Sequence, residues 1–134
     1  MSTRFQVPFV RGKARVRFSA GTGHAYTPKA TIRAMEAIRA AYRAAGGAKA
    51  PEGVPVTVHI MTVRPLQRTA PKGVESAPDV QTPDADNIAK LVLDALNGEA
   101  WADDRQVTSL LVGKCDRMRG VTPMTDVWVE WEGR

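Results

Sequence analysis

The sequence predicts one α+β domain in which about five strands and two main helices share a single core. Three observations carry this expectation. Apolar residues recur at helical spacing in two stretches, they alternate with polar ones in several others, and Gly and Pro separate these stretches without any repeat, linker or low-complexity tract. A chain of 134 residues, 43% hydrophobic and 25% charged, is long enough for one core that needs no metal or disulfide as a staple. The expected domain therefore spans 1–134.

Residues 4–10 read as a short strand, with Pro8 marking an edge or an irregularity. Arg11, Lys13, Arg15 and Arg17 then alternate with Gly12, Ala14, Val16 and Phe18, which predicts a second strand with one wholly basic face. Four cations on one face repel unless an anion lies over them, so a DNA-backbone track is preferred over a solvated, charge-protected edge. Gly21-Thr22-Gly23 turns the chain. Thr27 as N-cap and Pro28 at the first helical position start a helix whose buried stripe is Ile32, Met35, Ile38, Tyr42 and Ala45, and Gly46-Gly47 ends it. Lys29 and Arg33 lie near its N-terminal end and extend the basic surface.

After the turn at Pro51–Gly53, Val54, Val56, Val58 and Ile60 alternate in a strand that runs to about Val63 and puts His59 on the opposite face. Residues 64–82, broken by Pro65, Pro71, Gly73 and Pro78, predict a long flexible loop, and loops of that length are commonly functional. Arg64, Arg68 and Lys72 are placed there to clasp DNA. Residues 106–115 and 124–131 read as two further strands, antiparallel to one another. Trp128 on an otherwise polar strand face predicts a covered surface, a dimer contact.

Between the loop and those strands lies the stretch that carries chemistry. Asp84, Asp86, Asp94, Asp103 and Asp104 fall within a short span of a chain whose net charge is +5. Carboxylates so concentrated repel one another and are held together by a shared cation. Asp84 and Asp86 straddle one residue, and in an extended segment that spacing puts both side chains on one side of the backbone. From about residue 87, Ile88, Leu91, Val92, Ala95 and Leu96 form the stripe of an amphipathic helix that Gly98 stops. Asp86, Lys90 and Asp94 form a charged ridge opposite that stripe, and the helix N-terminus favours anions, whether carboxylate or phosphate. A plainer reading stands beside this one: Asp86 as an N-cap, the ridge as i, i+4 ion pairs, and Asp103-Asp104 as a polar turn. A calcium loop fits poorly, because Ile88 and Ala89 fall where that loop needs a ligand and a glycine. Asp84-Ala85-Asp86 also matches the short DxD of metal-dependent sugar transferases, a very weak motif.

Composition narrows the classes. A pI near 9.8 suits a polyanionic partner. No run is apolar enough for a membrane span or a signal peptide, and with Cys115 as the one cysteine no internal disulfide forms, so a cytosolic, reducing location is expected. His24 and His59 have no partner at metal-ligand spacing, and nothing supports a Ser/His/Asp or Cys/His nucleophile.

The run from Pro83 through Asp84-Ala85-Asp86-Asn87-Ile88-Ala89-Lys90 to Asn97-Gly98, then Trp101-Ala102-Asp103-Asp104-Arg105-Gln106-Val107 and Lys114, resembles the RusA family of Holliday junction resolvases. The likeness extends upstream to Lys13-Ala14-Arg15-Val16-Arg17-Phe18 and to Ala25-Tyr26-Thr27-Pro28-Lys29, and so covers most of the chain. The resemblance implies a RusA-like fold with a mixed β-sheet, and a small homodimeric, Mg2+-dependent crossover junction endodeoxyribonuclease, with Mn2+ as a substitute, that nicks two opposed strands of a four-way DNA junction. It implies a phage or prophage association. Carried over position by position, Asp84, Asp86 and Asp104 are the metal ligands, Asp103 and Asp94 lesser candidates, and Lys90 the lysine that acts with them. Lys114 joins the DNA-binding set. One departure stands out: in place of a basic cluster just before the acidic pair, this chain has Glu75, Asp79 and neutral residues. Two other readings remain open from the residues alone, a non-catalytic DNA-binding or architectural protein and a Mg2+-dependent phosphotransfer enzyme acting on a small substrate.

Overall fold

Alternation of buried and exposed side chains builds the sheet, and two helices cover one of its faces. The structure, a computed structural model, describes residues 1–133; Arg134, the last residue of the expected domain, lies outside the described residues. In chain order the elements are β1 (Ser2–Val7), β2 (Arg17–Phe18), β3 (Ala25–Tyr26), α1 (Lys29–Ala44), β4 (Val56–Val63), β5 (Ser76–Ala77), α2 (Ala85–Leu96), a 3-10 turn (Asp104–Gln106), β6 (Val107–Lys114), β7 (Arg117–Met118) and β8 (Met124–Glu130). The main sheet has four strands in the order β1-β8-β4-β6, and β2-β3 and β5-β7 are separate two-stranded ribbons. It is a mixed sheet: β8 is antiparallel to both β1 and β4, whereas β4 and β6 run parallel. A parallel pair needs a long crossover, and here the crossover holds the 64–82 connection and α2.

Thr3, Phe5 and Val7 of β1, Val56, Val58 and Ile60 of β4, and Val127 and Val129 of β8 point to the helix-covered face and are buried. α2 lays Ile88, Leu91, Val92, Ala95 and Leu96 onto them, each at most 1% exposed. Burial of a side chain of that kind contributes about 1.5–3 kcal/mol relative to leaving it in water, so α2 is held mainly by its apolar stripe. α1 packs against both α2 and β1.

Four of the expected strands are present with small shifts at their ends, and the expected α+β class holds. The basic strand over 11–18 is absent: residues 8–16 are irregular and only Arg17–Phe18 pair, with Ala25–Tyr26. β6 and β8 are not neighbours, because β4 lies between them. α1 starts at Lys29 with Pro28 as its N-cap, so Thr27 falls outside. Its buried stripe is Thr31, Ala34, Ile38 and Tyr42, while Ile32 is exposed. Small residues at 31 and 34 let the helix approach its neighbours closely, and that decides which face turns inward. The end of α1 is as expected: Gly46 takes φ 81°, its N–H donates to Arg43 O and the Gly47 N–H to Tyr42 O, the paired bonds of a left-handed helix stop. No helix among the described residues is long and apolar enough to cross a membrane.

Candidate active site at the start of the second helix

Asp84 is the N-cap of α2: its carbonyl accepts the first turn's bond from Ile88 N–H at 3.1 Å, yet its carboxylate makes no capping hydrogen bond. An N-cap aspartate ordinarily satisfies a free N–H of the first turn. This one stays exposed and uncommitted. The helix begins at Ala85, two residues before the expected start, so Asp86 sits in the first helical turn and not in an extended segment beside Asp84. Both carboxylates nevertheless lie at the positive end of the helix dipole. Lys90 Nζ lies 3.6 Å from Asp86 Oδ2, a solvent-exposed i, i+4 pair that contributes little to stability. Lys90 therefore stands one turn along the helix from the acidic pair, as expected.

The basic run crosses this helix end as an irregular segment. Lys13 N–H donates to Asn87 O at 3.0 Å, so its backbone bond goes to the helix and not to a neighbouring strand. A side chain at Gly12 would put its Cβ 2.8 Å from Pro83 Cβ and 3.0 Å from Asn87 Cβ. Glycine is what permits the close approach. The result is a cleft of about 420 Å3 lined by Arg11, Lys13, Thr31, Thr82, Asp84 and Asn87 among others. Lys13 is ion-paired with Asp94, so both side chains have a partner within the chain. Arg11, Arg15, Arg17, Lys29 and Arg33 have no ion-pair partner among the described residues. Lys29 is the first residue of α1, where a cation opposes the dipole and no acid offsets it. The same ribbon exposes Phe18 at 71% and Tyr26 at 49%. The sequence reading passed over these two as site residues; the available signal was an aromatic inside a basic stretch that contains no Asp or Glu before Glu36.

Asp104 lies elsewhere. It opens the 3-10 turn that precedes β6, and its Oδ1 accepts from the indole N–H of buried Trp101 at 2.7 Å. The other end of β6 is what adjoins the acidic pair, since Lys114 Nζ donates to Gln81 O at 2.5 Å. Seven steps along a strand at about 3.3 Å each place the two ends of β6 roughly 23 Å apart. Among the described residues no three His, Cys, Asp or Glu side chains are grouped to hold a metal. The expected trio is thus split within one chain. Asp103 is committed as a cap: its carboxylate accepts from Arg105 N–H, while the Gln106 side chain accepts from the N–H groups of Ala102 and Asp103.

The 64–82 connection is tied down by a charge network that sequence reasoning missed. Asp79, with a fully buried carboxylate, accepts a two-pronged bond from Arg64 at 2.9 and 2.5 Å and has Arg117 at 3.4 Å and Lys114 at 3.8 Å. Arg64 also donates to Thr82 O and Arg117 to Pro65 O. Arg64 and Lys114, expected to reach DNA, are therefore turned inward onto Asp79. Arg68 and Lys72 remain exposed on the loop. Asp79 explains the departure from the family pattern: it is an interior counter-charge and not a surface acid. Its hydrogen bonds from Arg64, reinforced by the nearby charges, hold its carboxyl below the ordinary 3.8 against the opposing effect of burial.

A depressed folded-state pKa stabilises the fold above the unfolded value, and that stabilisation is lost as pH falls through the folded value. The loop is accordingly expected to resist proteolysis at pH 5 and to lose protection only below the ordinary 3.8. Asp79→Asn leaves three cations without their anion and should lower stability by about 3–5 kcal/mol in urea unfolding, with protease cuts appearing first in 64–82. An unchanged midpoint and digestion pattern would show that the network does not hold the loop.

The acidic pair, the basic segment laid across it and the crossover that presents it all lie within one continuous region of sequence similarity. A family model described as endodeoxyribonuclease RusA matches residues 8–130. No curated protein matches the chain. The match runs from before the basic segment to the last residue of β8, and on that extent the chain belongs to the RusA family of endodeoxyribonucleases.

Proposed function

We propose that this endonuclease is a Mg2+-dependent, structure-selective enzyme that resolves four-way DNA junctions by paired, symmetric nicks in recombination and repair, with Mn2+ able to replace Mg2+. The observation that carries the reading is the Asp84 carboxylate, which caps nothing and stands with Asp86 at a helix N-terminus, in a cleft that Arg11, without an ion-pair partner among the described residues, also lines. Magnesium is bound through one or two carboxylates, with water and substrate phosphate filling the remaining positions, and an exposed Asp84/Asp86 pair fits that demand. Held by Asp84 and Asp86, such an ion would supply activation of a water and stabilisation of the leaving oxygen. Lys90, 3.6 Å from Asp86, would hold a positive charge near the phosphate as it gains negative charge.

The remaining surface supplies binding. Arg11, Arg15, Arg17, Lys29 and Arg33 form a track for the phosphate backbone, with Arg68 and Lys72 beyond the cleft. Phe18 and Tyr26 offer flat faces on which unstacked bases at a branch point rest, an interaction sensitive to structure more than to sequence. Symmetric nicking requires two sites of opposed polarity, which a homodimer supplies. A second copy is also what would bring an Asp104 to the acidic pair, since within one chain it lies at the far end of β6.

A labelled mobile four-way junction incubated with Mg2+ is expected to yield paired nicks that EDTA abolishes. Asp84→Asn and Asp86→Asn should each lower cutting at least about a hundredfold while junction binding persists. Phe18→Ala should weaken junction binding more than duplex binding. If the two Asn variants cut at the wild-type rate, the metal assignment fails; if no divalent ion supports cutting by the wild type, the nuclease reading fails with it.

A further inference from the structure

The 64–82 connection, expected as a flexible loop, encloses a cavity of its own. Its walls are held from β7 and the residue after it: Ser76 and Ala77 pair with Met118 and Arg117, Leu66 N–H donates to Met118 O at 3.1 Å, and the Arg119 side chain donates to Val74 O at 2.8 Å and to Pro71 O at 3.2 Å. The space enclosed is about 290 Å3, with Leu66, Pro71, Val74 and Val80 as apolar walls and Gln67, Gln81 and Arg117 among its polar lining. Apolar walls with a few placed polar groups are the usual make-up of a ligand site. The cavity shares no lining residue with the cleft over Asp84.

The orientation of the polar groups follows by elimination. Arg117 Nη2 donates to Gln81 at 3.1 Å, and a guanidinium has no acceptor, so the Gln81 atom it meets is the carbonyl Oε1. Gln67 meets that same oxygen at 2.7 Å and therefore presents its amino group. The two amides are locked head to tail. Gln81 Nε2 is left as a donor and Gln67 Oε1 as an acceptor, neither with a partner among the described residues. A donor beside an acceptor is what the edge of a nucleobase bonds to. The Arg117 bond also polarises the Gln81 amide, which strengthens its free N–H groups as donors. Val80, 86% exposed, leaves an apolar surface for a flat ring.

We propose that this cavity receives one unstacked base of the bound strand, rested against Val80 and read by the Gln67/Gln81 amide pair, and so selects the sequence at which the enzyme cuts. The proposal rests on the nuclease reading above. Gln81 lies three residues before Asp84, which limits their separation to about 11 Å, roughly three stacked nucleotides at about 3.4 Å each. Lys114 at 2.5 Å and Arg64 at 3.3 Å both donate to Gln81 O, so the reading group and the acidic pair are set on one fixed segment. Arg68 and Lys72, exposed on the same connection, hold the adjoining phosphates. No Asp or Glu is among the residues that line the cavity to repel the strand.

Binding can be scored in EDTA, where nothing is cut. Four-way junctions that carry one abasic nucleotide at successive positions out from the branch should bind the wild type about tenfold more weakly at one position than at its neighbours. Gln67→Ala and Val80→Ala, both at exposed sites, should remove that loss, so that the abasic junction binds each variant no worse than the intact one. With Mg2+, wild-type cuts on a mobile junction should favour one base at the same position, and both variants should reduce that preference about tenfold. A wild-type scan without a position-specific loss, or a loss that both variants retain, would overturn the pocket. Equal weakening by the variants at every position would overturn it too, and would show a backbone contact or a structural role in its place. A single-position loss in EDTA that the variants abolish, in a protein that no divalent ion makes cut, would instead support the pocket and overturn the nuclease reading.

Discussion

The placement of the acidic pair depends on one buried charge. Asp79 sits with its carboxylate out of water among Arg64, Lys114 and Arg117, residues drawn from the end of β4, the end of β6 and β7. A carboxylate removed from water is costly unless it is paired and hydrogen-bonded. This one is satisfied only when those three segments and the 64–82 crossover come together. Because Thr82 O and Gln81 O accept from the same Arg64 and Lys114 side chains, the residues just before Asp84 are positioned by the network as well. The charge inside the loop thus does for the chain what an apolar core does for the sheet.

α2 carries the second half of the arrangement. Its apolar stripe is buried against the sheet, so the direction of its opposite face is set by packing and not by the charges on it. Packing therefore decides where the dipole's positive end emerges, and that end coincides with the cleft beneath Arg11, Gly12 and Lys13. Gly12 and the Lys13 N–H bond to Asn87 lock the basic segment to the helix. Lys13 pairs with Asp94 and Lys90 stands near Asp86, while Arg11, Arg15, Arg17, Lys29 and Arg33 have no ion-pair partner among the described residues.

Much of this was legible in the sequence, and the failures have physical causes. The stripe of α2, the alternation in β4 and β8 and the glycine stop of α1 are local patterns, and each appears where those patterns put it. The basic run misled because alternation by itself does not distinguish a strand from an irregular segment; what decided it was a tertiary contact, Lys13 N–H to Asn87 O. Arg64 and Lys114 were read as DNA contacts because the sequence does not show that Asp79 is buried between them. Asp104 stands close to Asp84 along the chain, but a helix and a return turn carry it to the far end of β6. Sequence proximity said nothing about that distance. The exposure of Leu110 and Leu111 on an unpaired edge likewise follows from strand order, which alternation does not encode.

The claim that the start of α2 holds the divalent ion can be tested without any DNA. Substoichiometric Mn2+ added to isotope-labelled protein broadens the amide resonances of residues near the bound ion. Loss of the Asp84 to Asn87 signals before all others, prevented by Asp84→Asn and reversed by excess Mg2+, is the predicted result. Signals from those residues that stay sharp while others broaden would contradict the account.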